Sequence, residues 1–132
     1  MYAALALLSA VPRAALAQNS AVTVTVPAGQ VPAGATVPVD CYAQGRVSGI
    51  STSFDVLSIA VTADAGSVSP ATISGASIQT ACVSPMSTTD PCKVLQGTAN
   101  WTLPAAPGTY TVTCSAAIHP YGGFGTPPPD YV

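Results

Sequence analysis

The sequence predicts an all-β chain folded as an antiparallel sandwich of about seven to eight strands, stapled by disulfides. Three observations carry that expectation. Apolar residues recur with a period of two almost everywhere after residue 18, and no stretch sustains a helical stripe. Pro and Gly punctuate the alternating runs at short intervals, as turns between short strands require. Cys41 and Cys114 share the apolar phase of two distant runs, Val37, Val39, Cys41, Ala43 and Tyr110, Val112, Cys114. A cross-link between packed sheets needs that placement.

The elements follow in order. Val22, Val24 and Val26 alternate with Thr23 and Thr25, which gives a half-buried first strand. Val26-Pro27-Ala28-Gly29 and Val31-Pro32-Ala33-Gly34 then repeat a turn-forming tetrapeptide. A second strand covers 36–44, and Pro38 within it places an edge or a bulge nearby. Residues 45–53 form a polar connection. The longest apolar run, 54–63, puts Leu57, Ile59 and Val61 on the buried face and ends in the turn Asp64-Ala65-Gly66. Short strands are expected near Thr72-Ile73 and over 77–83. The Ser-, Thr- and Pro-rich stretch from Cys82 to Cys92 reads as a hairpin tip. Ala99, Trp101 and Leu103 alternate with Asn100 and Thr102, so Trp101 belongs in the core. Pro107-Gly108 launches the last clear strand, 109–117, with Tyr110 and Val112 inward.

The two ends differ from this middle. Tyr2 to Val11 is a short apolar run, followed by Ala15-Leu16-Ala17, the small residues a signal peptidase accepts before a cut ahead of Gln18. Met1-Tyr2 carries no basic residue, so 1–17 reads as a leader truncated at its start. The run is too short to span a bilayer as a helix, and no membrane span is expected in the mature chain. The sandwich is placed at 18–118. Residues 119–132, rich in Gly, Pro and aromatics, read as a tail or linker.

Four cysteines in an exported chain read as two disulfides. Three pairings are open, and strand phase favours Cys41–Cys114 with Cys82–Cys92. The long loop is worth about 4 kcal/mol and the short one about 3 kcal/mol on the chain-entropy account. A nine-residue gap between Cys82 and Cys92 is not zinc-knuckle spacing.

Charge is scarce. Three Lys and Arg stand against five Asp, with no Glu, and the net charge is −2. Nothing there neutralises phosphates, which argues against a nucleic-acid partner. Thirteen Ser and fifteen Thr supply the polarity instead. Such a surface opposes self-association only weakly. His119 is the only imidazole, and no Gly-x-Ser-x-Gly turn or carboxylate pair accompanies it. Neither catalysis nor a cofactor is expected. Asp40, Asp55, Asp64, Asp90 and Asp130 form no Asp-x-Asp-x-Asp calcium loop.

The stretches Ala99-Asn100-Trp101-Thr102-Leu103-Pro104 and Pro107-Gly108-Thr109-Tyr110-Thr111-Val112-Thr113-Cys114, with the run from Leu57 to Gly66, resemble bacterial surface modules of the immunoglobulin-like and polycystic-kidney-disease-like kind. The resemblance covers about half of the expected mature chain. It implies an immunoglobulin-like sandwich that serves as a spacer, adhesive domain or appendage. Trp101 precedes the second core cysteine and Tyr110 lies four residues before it, so the pattern is not that of an antibody domain.

The expectation for function is therefore a non-catalytic module, secreted or on the cell surface (extracellular or periplasmic), with a structural or adhesive role. Its partners would be other copies, neighbouring domains or surface glycans. One alternative is a filament subunit that donates a strand to its neighbour, with Ala21, Val22, Val24 and Val26 as the donated segment. A second is carbohydrate binding, for which Tyr42 is the best exposed ring. Asn100-Trp101-Thr102 is a formal N-glycosylation acceptor, and Asn100 faces outward if Trp101 faces inward.

Overall fold

The computed structural model describes residues 5–13, 20–27, 29–47, 53–83 and 90–121, of which 5–13 and 121 are described by backbone alone. Among them lie ten strands: β1 (Leu5–Arg13), β2 (Ser20–Thr25), β3 (Gln30–Pro32), β4 (Thr36–Arg46), β5 (Ser53–Ala63), β6 (Ser67–Ser69), β7 (Thr72–Ser74), β8 (Ile78–Ala81), β9 (Pro91–Thr102) and β10 (Gly108–Tyr121). That exceeds the seven to eight expected, because three of the strands are only three residues long and a further one forms at residues read as a leader.

The strands form two sheets. One runs β3-β1-β10-β5-β7; the other runs β2-β4-β9-β6, with β8 also on β9. β8 pairs with residues 91–94 of β9 and β6 with residues 100–102, so the two share one edge of β9 at different heights. Every pairing is antiparallel except β1 on β10. The alternation seen in the sequence builds the interior. Val37, Val39, Cys41 and Ala43 of β4 are buried against Ile59 and Val61 of β5 and Val112, Cys114, Ala116 and Ile118 of β10. Cys41–Cys114 crosses from one sheet to the other through this layer, with Cα atoms 6.0 Å apart.

Trp101 is wholly buried, and its indole N–H donates to the Ala65 carbonyl at 2.9 Å. A buried indole needs such a partner. The bond ties the core to the turn after β5, where Gly66 holds φ +80° and a Cβ would collide with the Thr102 carbonyl. Only Gly meets both demands.

Two core assignments need correcting. Leu57 is 44 % exposed. The β5–β10 register slips there, with Ala117 opposite Ser58 but Ile118 opposite Val56, so Leu57 is the extra residue of a bulge. The bulge inverts the phase: Phe54 and Val56 are buried on one side of it, Ile59 and Val61 on the other. Tyr110 is half-buried: it packs against the core from its margin, and its hydroxyl donates to the Ala106 carbonyl at 2.5 Å.

The prolines obey the edge rule. β2 pairs with β4 only from Asp40 to Gly45, so β4 is locally an edge at Pro38. Likewise β1 reaches only to Ser115, so among the described residues no strand pairs with that side of β10 at Pro120. β10 therefore continues past the strand end expected at residue 117, and past the expected end of the sandwich at 118, as far as Tyr121. The remainder of the expected tail, 122–132, lies outside the described residues, as do 1–4 and 14–17 of the expected leader and Gln18, the expected start of the mature chain.

Candidate functional site

The outer face of the second sheet is set by the even-numbered residues of β4. Asp40, Tyr42, Gln44 and Arg46 lie opposite Thr98, Gln96, Val94 and Cys92 of β9. This face divides into two halves of different chemistry.

In the covered half, Cys82–Cys92 holds the residues after β8 against the sheet, with Cα atoms 5.0 Å apart. Beneath it is a small second core of Ala21, Cys92 and Val94, with Tyr42 and Cys82 packed on its rim. Gln44 is fully buried here and bonds Val83 twice. Its Nε2 donates to the Val83 carbonyl at 2.7 Å, and its Oε1 accepts from the Val83 N–H at 2.9 Å. A side-chain amide with one donor and one acceptor used in this way substitutes for a strand partner. Arg46 anchors the far end of the loop through Asp90 at 2.7 Å. The alternation that located the main core gave no sign of this patch. A lone Gln among outward-facing residues carries no mark of burial.

The open half is a shallow groove of about 320 Å³ between Tyr42 and Thr98, floored by Thr23, Thr25 and Gln96. Asp40 accepts from the Thr98 hydroxyl at 2.5 Å. A second groove of about 270 Å³, partly apolar, lies on the other side of Tyr42 and is walled by Ile78, which is 70 % exposed. The Tyr42 ring thus forms the ridge between two depressions, and partial burial pushes its phenol above the ordinary tyrosine range.

The remaining carboxylates that the structure describes also brace loops. Asp64 accepts from the Thr111 N–H at 2.9 Å and Asp55 from the Ser77 hydroxyl at 2.5 Å. His119 is exposed on β10 with Asp55 as its register partner. Among the described residues no three His, Cys, Asp or Glu side chains cluster as metal ligands, and no helix is long and apolar enough to cross a membrane. Asn100 is exposed on β9, opposite Pro38.

The expected donor segment, Ala21 to Val26, is placed as β2 and its exit. It pairs with the chain's own β4, from Ser20 opposite Gly45 to Thr25 opposite Asp40. Ala21 and Val22 are buried, while Val24 and Val26 are partly buried against the core. In the other sheet the edge of β10 is occupied by β1. It runs parallel to β10, from Ala6 opposite Gly108 to Arg13 opposite Ser115. On its other side Leu5, Ala6 and Leu7 pair with β3.

No protein-family model, curated protein or solved structure gives a significant match to the chain. The class that fold and site define is an all-β, disulfide-stapled sandwich with a polar outer groove.

Proposed function

We propose that the chain is an exported, non-catalytic surface module of the immunoglobulin-like kind, structural or adhesive in role. The observation that supports this most is that both disulfides are formed and no cysteine is left free. Such cross-links persist in oxidising compartments. The polar side chains agree: the four described carboxylates each hold a loop or a neighbouring strand. The Cys41–Cys114 bridge joins the two sheets through β4 and β10, and an inter-sheet bridge of this kind supports the immunoglobulin-like reading. The test is recovery of the chain from the periplasm of a bacterial host, followed by light scattering at several concentrations. A monomer fits a spacer, and concentration-dependent rods fit a filament subunit. A chain that reaches the periplasm but hydrolyses an ester or glycoside panel overturns the non-catalytic reading.

The open groove favours one version of the adhesive role. A ring flanked by Asp40, Gln96 and Thr98 offers an apolar platform beside hydrogen-bonding groups. That combination suits a sugar face and its hydroxyls. On a glycan array, binding that disappears in Tyr42→Ala supports it; binding unchanged by that substitution removes it.

A further inference from the structure

Two observations mark β1 out. Its pairing with β10 is the only parallel one among the described strands. It also coincides with the apolar stretch that precedes Ala15-Leu16-Ala17. In its sheet it stands between β3 and β10.

Taking β1 away leaves a slot rather than a plain edge. On one side stands β10, whose backbone from Gly108 to Ser115 pairs with Ala6 to Arg13. That stretch contains no charge and no Pro, the devices that ordinarily protect an exposed edge. On the other side stands β3, which pairs with only three residues at the entrance. A second copy's sheet edge brings its next strand with it and meets β3 at that end. A single extended arm does not. Val112 and Cys114 of β10 are wholly buried core residues, and Val31 of β3 is packed against the same core. Opening it uncovers both unpaired backbone and apolar surface.

We propose that the space between β3 and β10 is an acceptor site for one extended, mainly apolar strand parallel to β10. Leu5–Arg13 occupies it while the leader is attached, and an arm of a second polypeptide occupies it once the leader is removed. The second step rests on the reading of 1–17 as a removable leader; the acceptor itself does not. Backbone pairing supplies most of the recognition, so the partner is defined by extended form and about eight residues of length more than by sequence. The leader segment thus keeps the slot closed until it is cut away.

The experiment starts from the full chain with a specific protease site placed within residues 14–19. The folded protein is cut and unfolded in guanidinium with its disulfides intact. It is then separated from residues 5–13 and refolded with a fluorescent synthetic peptide of that sequence. The expected result is saturable binding in one-to-one ratio, with a melting temperature raised towards that of the uncut chain. Two peptides N-methylated at alternate residues sharpen the result, because only one set of amides faces β10. One binds and the other does not. If the refolded protein keeps the uncut chain's melting temperature and takes up no peptide, or if both methylated peptides bind equally, there is no strand-acceptor site. If it captures a second copy of itself in preference to the peptide, the arm model is wrong. The N-terminal mass of the exported chain tests the leader separately: a start at Met1 overturns the exchange and leaves the acceptor result standing on its own.

Discussion

The two disulfides hold regions built on opposite principles. Cys41–Cys114 lies in the seam between the sheets, where alternating apolar residues from β4, β5, β9 and β10 interlock. Cys82–Cys92 lies on the outside of the second sheet, where a three-residue apolar cluster is too small to hold a loop. Side-chain hydrogen bonds from Gln44 and an ion pair from Arg46 complete the attachment. The seam is a consequence of periodicity. The outer patch depends on a few polar groups, and its loss would remodel the surface while leaving the sandwich in place.

Four sets of substitutions, the last a matched pair, test that contrast, from the largest expected effect to the smallest. Replacing Cys41 and Cys114 together by Ala removes a cross-link spanning 73 residues and should cost about 4 kcal/mol, read as a lower urea midpoint for the whole domain. The equivalent change at Cys82 and Cys92, which are ten residues apart, should cost about 3 kcal/mol at most. Amide exchange should then rise in β8 and at Val83 while β4 and β10 stay protected. A global loss of protection would mean that the outer patch is part of the seam. Gln44→Ala leaves both backbone groups of Val83 without their partner and should cost about 2 kcal/mol. Equal stability with Gln44→Leu would show that apolar filling, not the paired amide, holds the loop. Leu57→Ser should change stability by less than about 0.5 kcal/mol, whereas Ile59→Ala, two residues on, should cost roughly 3 kcal/mol.

That last pair shows what was legible in the sequence and what was not. Periodicity located Val39, Cys41, Ile59, Trp101 and Val112 in the core, because a strand buried on one face writes its burial directly into the alternation. It misplaced Leu57, because a bulge inverts the phase without changing composition. Gln44 and Val94 were invisible for another reason: their burial is created by a loop that packs over the outer face, not by their own strand. Tyr42 was recognised as an outward ring. Its grooves depend on residues from β2, β4, β8 and β9 that meet only in the folded sheet. The segment Leu5–Arg13 carries one pattern that suits two uses, since a short apolar run serves equally as a leader core and as a strand.

The central claim is that this is an exported, doubly cross-linked sandwich, and intact mass measures it most directly. The chain is produced in a bacterial host with access to the periplasm and treated with a thiol alkylator before and after reduction. The account predicts periplasmic protein beginning near Gln18, unreactive before reduction and taking up four alkyl groups after it. A full-length chain confined to the cytosol with four thiols reactive from the outset would contradict it.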